Sequence, residues 1–244
     1  MKTIGIIPAR FGSSRLPGKP LLTICGKPMV WWVYQRARII PELEEVYVAT
    51  DDERISDACE RLGIPAVMTA STHRAAAHRL WEVSCRIKAD FYVQINGDEP
   101  LIDAGAIKRA IPEKVPQDRE FGTNIITPIH DPAEVLDSSN IKVVFNESFQ
   151  ALYLSRTPIP LPVKSLDFCY YKHVGIIGYN KKMLDFYASS SPGRLELIEG
   201  IDTLRFLDYG KELQLIPVDG IRTLSVDTEK DLEYVRKIMK ERQL

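Results

Sequence analysis

Cysteine is scarce and unpatterned: Cys25, Cys59, Cys85 and Cys169 stand far apart in 244 residues, with no Cys-x-x-Cys spacing. That argues against a disulfide framework or a zinc site of paired thiolates and predicts free thiols in a reducing compartment. No run of about eighteen apolar residues occurs, and the chain opens into a strand-like segment without a basic stretch and apolar core before it. The sequence therefore predicts no membrane span and no secretory leader, and the expected location is cytoplasmic. Neither sign of charge is in surplus. With 32 Lys plus Arg against 33 Asp plus Glu, the formal net charge is −1, so no overall field draws nucleic acid or an anionic membrane, and neither is expected as a partner. Among the four histidines, His73 and His78 fall close to Arg74 and Arg79, but the spacing is not His-Glu-x-x-His, which argues against a metal site there. The Gly-x-Gly-x-x-Gly fingerprint and the P-loop pattern are absent as well.

What is present begins at residue 4. Ile4–Ile7 is continuously apolar, as befits a strand covered on both faces, and Pro8 stops it. The loop that follows carries Arg10, Arg15 and Lys19 among Gly12, Ser13, Ser14 and Gly18. Small residues leave backbone N–H groups open to approach, and the cations offset charge that would repel a nucleophile, so the loop is suited to a triphosphate. A solvated turn would show the same composition.

The 45% hydrophobic and 27% charged content is that of an ordinary globular enzyme, with length for one core or a core plus a subdomain. Strands at Ile4–Ile7, Val46–Ala49, Ala66–Met68 and Phe91–Ile95 alternate with amphipathic helices over Pro28–Ile39, about 53–62 with Thr50 or Asp52 as cap, and His78–Ile87. Gly63 ends the second helix. This rhythm predicts an α/β fold with a mostly parallel sheet, helices on both faces, and ligands beyond the carboxyl ends of the strands. After about residue 120 it changes. Gly122–Ile129, Lys142–Phe145, Ala151–Leu154 and Val174–Tyr179 read as strands of an antiparallel β-rich insertion. Helices return at Lys181–Ala188, Ile201–Tyr209 and Thr228–Arg242, with a strand at Leu213–Pro217. The expected division is an α/β core over 1–120, a β-rich lobe over 121–180 of the kind that often supplies a second substrate pocket or a dimer surface, and a return to the core over 181–244.

Asp98 follows a strand on a Gly97-Asp98-Glu99-Pro100 turn, and Asp227 sits between a β-like run and a helix. Carboxylates so placed suit Mg²⁺, which binds through one or two carboxylates plus substrate phosphates; each also suits a turn or a helix cap. His173 opens a strand, where a hydrogen-bonded structural role is the plain alternative, and the fork of Arg156 suits a carboxylate ligand.

The segments at 6–21 (Ile-Ile-Pro-Ala-Arg-Phe-Gly-Ser-Ser-Arg-Leu-Pro-Gly-Lys-Pro-Leu), 26–29 (Gly-Lys-Pro-Met), 48–55 (Val-Ala-Thr-Asp-Asp-Glu-Arg-Ile), 97–102 (Gly-Asp-Glu-Pro-Leu-Ile), 151–160 (Ala-Leu-Tyr-Leu-Ser-Arg-Thr-Pro-Ile-Pro), 172–176 (Lys-His-Val-Gly-Ile) and 226–232 (Val-Asp-Thr-Glu-Lys-Asp-Leu) together resemble the 3-deoxy-manno-octulosonate cytidylyltransferases, or CMP-Kdo synthetases. They cover nearly the whole chain, in the same order. The resemblance implies a homodimer with a Rossmann-like nucleotidyltransferase core that uses CTP, a sugar acid and Mg²⁺ and releases a CMP-sugar and pyrophosphate, within lipopolysaccharide biosynthesis. Carried over, Arg10, Lys19 and Asp98 are catalytic, and Ala9, Arg10, Gly12, Ser13, Arg15, Lys19, Ala76 and Arg79 bind the nucleotide. Asp98 and Asp227 hold the metal, and Asn96, Arg156, His173, Asp202 and Thr203 face the acid.

Departures from that family cluster. Ala75-Ala76-Ala77-His78-Arg79 stands where the family has Ser-Gly-Thr-Asp/Glu-Arg, Asn96 where it has Gln, and Asp202-Thr203-Leu204-Arg205 where Glu-Gln-Leu-Arg is usual. Shorter polar side chains around the acid predict kept chemistry with an acceptor other than ordinary Kdo. Alternatives at this point are another ulosonate or a phosphonate as acceptor, or a nucleotide-binding protein without turnover.

Overall fold

A computed structural model describes residues 1–12, 15–165, 167–221 and 223–242. The first half alternates as read: β1 (Thr3–Ala9), β2 (Thr23–Ile24), β3 (Lys27–Pro28), α1 (Met29–Ala37), β4 (Glu45–Thr50), α2 (Glu53–Arg61), β5 (Ala66–Met68), α3 (Ala76–Arg86), β6 (Phe91–Ile95) and α4 (Ala104–Arg109). There follow β7 (Gly122–Pro128), α5 (Pro132–Leu136), β8 (Lys142–Phe145), β9 (Ala151–Ser155), β10 (Tyr171–Tyr179), α6 (Lys181–Ser189), α7 (Arg194–Glu199), α8 (Leu204–Asp208), β11 (Leu213–Pro217) and α9 (Glu229–Glu241). The described helices include none long and apolar enough to cross a membrane.

The main sheet runs β11-β7-β10-β6-β1-β4-β5, and β8 and β9 join at its side through β10. Along that path only β10 runs against its neighbours, antiparallel to both β6 and β7; the other pairings are parallel. The α/β class with a mostly parallel sheet and antiparallel additions is thus the observed one. Strand β1 lies between β4 and β6, which explains its unbroken apolar character. Its side chains alternate: Ile4 and Ile6 enter a core with Leu80, Tyr92 and Phe206, whereas Ile7 and Ala9 enter the opposite core with Val33, Val48 and Ile107. Helices therefore cover both faces.

Asp52 caps α2 by accepting from Arg54 N–H at 3.0 Å, and Gly63, at φ 66, ends the following turn. Helix α3 begins two residues before the expected His78, with no side-chain cap at Ala75. Helix α8 is shorter than the expected Ile201–Tyr209 and starts at Leu204. The short helices α4, α5 and α7 were not expected.

A third apolar cluster positions the end of the chain. Leu232, Val235 and Met239 of α9, with Val226, bury themselves against Leu16, Ile24 and Met29. Burial contributes about 1.5–3 kcal/mol per such side chain, and it docks residues 226–239 beside the loop after β1.

Candidate active site

The loop after β1 is folded by its own residues. Gly18 donates its backbone N–H to Phe11 O at 3.0 Å and adopts φ 67, a conformation that costs any residue with a Cβ. The Phe11 ring packs under Gly18, and the Arg54 guanidinium stacks 3.3 Å from the ring centre. A 3-10 turn at Lys19–Leu21 follows and turns Lys19 inward. At the neighbouring strand end, β6 passes into Gly97, where a Cβ would lie 2.8 Å from Pro8 O. That close approach brings the turn carrying Asp98 against the loop.

Asp98 and Asp227 meet on one lysine. Lys19 Nζ donates to Asp98 Oδ2 at 2.8 Å and to Asp227 Oδ1 at 3.0 Å, and Arg15 Nη2 stands 3.2 Å from the same Asp227 oxygen. The two turns are also tied through the backbone, since Val226 N–H donates to Asp98 O at 2.8 Å. Neither aspartate is spent as a helix cap. Thr228 caps α9 in a reciprocal box with Asp231, and Asp103 caps α4. Burial works to lower the Lys19 pKa, but the charges of Asp98 and Asp227 and their hydrogen bonds outweigh it, and the net shift is upward.

These groups line a cavity of about 310 Å³, together with Ala9, Arg10, Arg15, Ala76, Arg79, Asn96 and Asp202. It opens at the carboxyl ends of β1 and β6, where a sheet of this kind places ligands. A second cavity of about 230 Å³ shares Ala76, Asn96 and Asp202 with the first and adds Gln94, His173, Tyr187 and Thr203. The hydroxyl of Thr203 is buried there without a hydrogen-bond partner among the described residues.

Several expected residues have duties of their own. Arg79 is buried, with Nη2 on Asp51 Oδ2 at 2.9 Å and Nη1 on the Thr69 hydroxyl, so its guanidinium fastens the start of α3 to the end of β4. Asp202 is exposed toward the cavities, yet protein closes round its carboxyl. That desolvation, with Glu196 nearby, raises its pKa, while Arg205, the Ala76 backbone N–H and Arg10 act the other way. Its carboxylate thus sits on the N-terminus of α3, which carries no side-chain cap of its own. Arg156 lines neither cavity: Nε donates to Glu199 O, Nη1 to Ser138 O and Nη2 to Gly200 O, at 2.8, 3.0 and 3.3 Å. Gly12 is exposed outside both cavities, and Ser13 lies outside the described residues.

Two buried residues that pack against the site were not singled out from the sequence. Glu99 is buried behind Asn96, accepts from the Gly175 backbone N–H, and is pushed up to about 8 by burial and then by the Asp98 charge. Asn124 is fully buried in β7 and contacts His173. Its signal was available as a polar residue amid the apolar run after Gly122.

The comparison with known proteins decides the family. A family model described as cytidylyltransferase matches residues 4–213. The chain belongs to the cytidylyltransferase family. This cytidylyltransferase is 38% identical over 238 residues to the 3-deoxy-manno-octulosonate cytidylyltransferase of Escherichia coli, covering 98% of this chain and 96% of the other. It is also 38% identical over 232 residues to the 8-amino-3,8-dideoxy-manno-octulosonate cytidylyltransferase of Shewanella halifaxensis (strain HAW-EB4), covering 93% and 94%. A solved structure, CMP:2-keto-3-deoxy-manno-octonic acid synthetase complexed with CTP, superposes with a TM-score of 0.91 at 37% identity, covering 99% of this chain and 100% of that one. The cytidylyltransferase is accordingly a CTP-dependent nucleotidyltransferase, as the resemblance implied.

Proposed function

We infer that the protein transfers CMP from CTP to the anomeric hydroxyl of a 3-deoxy-octulosonic acid, Kdo or a close analogue, and releases pyrophosphate. The observation that carries this reading is the convergence of Lys19, Arg15, Asp98 and Asp227 at one cavity that shares a wall with a second. The first suits a nucleoside triphosphate and the second a polyhydroxylated acid. In the reaction the hydroxyl oxygen bonds to the α-phosphorus, the bond from that phosphorus to pyrophosphate breaks, and the hydroxyl proton leaves to solvent or a base. Holding the two substrates in line lowers the barrier, and Lys19, Arg10 and Arg15 offset the charge of the leaving group.

The residues at the first cavity fit magnesium. Asp98 Oδ1 is buried with no hydrogen-bond partner among the described residues, an acceptor left open, while Oδ2 faces Lys19. Among the described residues no set of three or more protein ligands gathers, which suits a cation that draws its remaining oxygens from substrate phosphates. Asp98 and Asp227 would hold it, and it would add positive charge beside the departing pyrophosphate.

The acceptor stays within the octulosonates. Relatives named for the acid and for its 8-amino derivative match this chain at the same 38% identity, so an unrelated ulosonate or a phosphonate is not favoured despite Asn96, Asp202 and Thr203. The working unit in this reading is a homodimer in the cytoplasm. Leu152, Leu161, Val163 and Phe168 offer an exposed apolar surface on and after β9 for a second copy. Sedimentation equilibrium tests the dimer, and a monomer at micromolar concentration would exclude it. For the reaction, pyrophosphate release is measured with CTP and Mg²⁺ over Kdo and its 8-amino analogue; no release with either acid overturns the assignment.

A further inference from the structure

The pairing of β10 with β7 slips where β10 passes the second cavity. It holds at His173↔Ile126 and resumes at Ile177↔Asn124, with a register shift between. The Asn124 side chain fills the irregularity. Its Nδ2 donates to Val174 O at 2.9 Å and to Ile176 O at 3.0 Å. Carbonyl oxygens only accept, so both amide protons are committed and the orientation of the amide is fixed. Oδ1 therefore faces the other way, 2.6 Å from His173 Nδ1. An amide oxygen also only accepts, so Nδ1 carries the proton of that bond. In a neutral imidazole the second nitrogen is then a bare acceptor. His173 Nε2 has no hydrogen-bond partner among the described residues, and the ring lines the second cavity.

We propose that Asn124 is a positioning residue, holding His173 as the Nδ1–H tautomer so that Nε2 accepts a hydrogen bond from a hydroxyl of the sugar-acid acceptor. This rests on the transferase reading and sharpens it. A bare Nε2 repels the carboxylate of the acid and selects a donor, so the ring reads the polyol part of the substrate. The surroundings keep it neutral. Burial first, and the Arg156 charge second, push the His173 pKa down to about 4. Asp202, Tyr179 and Tyr187 are the other titratable groups lining that cavity. The tautomer is thus set by a residue that lines neither cavity.

The test reads the ring directly. Protein labelled with nitrogen-15 histidine is examined at neutral pH by long-range proton–nitrogen correlation, with the His173 signals assigned by their loss in His173→Gln. The expected result is a protonated Nδ1 and an unprotonated Nε2; a protonated Nε2, or an imidazolium, overturns the proposal. Asn124→Leu is the second arm. It should mix the tautomers and raise KM for the acid about tenfold with KM for CTP unchanged. An unchanged KM for the acid in a variant whose tautomers have mixed also overturns it. Should Asn124→Leu fail to fold because two strand carbonyls lose their donor, the wild-type spectrum still decides. Absent pyrophosphate release by wild type would count against the transferase reading, and the ring signature is read independently of it.

Discussion

Lys19 Nζ lies 2.8 Å from Asp98 Oδ2, across 79 positions of sequence. The ammonium occupies the space between two carboxylates that would otherwise repel each other, and it competes there with any divalent cation. Lys19→Met should therefore act in two opposite directions. Pyrophosphate release should fall by about a hundredfold or more, because a cation facing the leaving group is gone. Mg²⁺ binding without nucleotide, followed by calorimetry, should become tighter.

Asp98→Asn and Asp227→Asn should each abolish pyrophosphate release while leaving the fold in place. Their side chains are 27% and 28% exposed, so the ion pairs with Lys19 stabilise the protein by no more than about 1 kcal/mol. Activity assays paired with urea unfolding separate the two effects. Wild-type turnover in both variants would remove them from the metal site.

A different outcome is expected deeper in the protein. Arg205 is 2% exposed, bonds Glu196 through Nε and Nη2 at 2.7 and 2.6 Å, and stacks 3.8 Å from the Tyr187 ring centre. Arg205→Met leaves the Glu196 carboxylate buried without its counter-charge, a change that costs about 3–5 kcal/mol. Urea midpoints measure it, and a loss below about 1 kcal/mol would contradict the pairing.

Stability should also fall as the medium is acidified, in part through His173. Its folded pKa, about 4, lies below the ordinary histidine value of 6.5, so between these limits the unfolded chain binds more protons than the folded one. Unfolding free energy then rises with pH across that window; the stabilisation is complete above about 6.5 and is lost as pH falls through 4. His78, depressed by burial and by Arg205 and His73, slopes the same way. Urea midpoints between pH 7 and 4 should fall less steeply in His173→Gln than in wild type.

Local signals carried the first half of the fold. β1, β4, β5 and β6 are apolar runs ended by turn residues, and Asp52 and Gly63 mark the two ends of α2 through hydrogen bonds within a few residues. Helices α4, α5 and α7 escaped because five or six residues give too few turns for a periodic stripe. The seating of β10 between β7 and β6 was illegible for another reason: it depends on pairing between strands far apart in sequence. The site divides similarly. Residue type and motif singled out Lys19, Asp98 and Asp227, which the fold brings into contact, whereas the tasks of Arg156, Arg79 and Asp202 are set by carbonyls, Asp51 and a helix end that only folding brings near. The adjoining Thr228 shows how narrow the margin was, since it took the cap that Asp227 was equally eligible to fill.

The pairing of Lys19 with Asp227 spans 208 positions. During synthesis the lysine is made early, and its second carboxylate and the helix that anchors it only after β11. A chain cut before Asp227 keeps β1 to β11 but loses one of the two carboxylates that meet on Lys19. Closure of that centre therefore reports whether synthesis has passed Asp227.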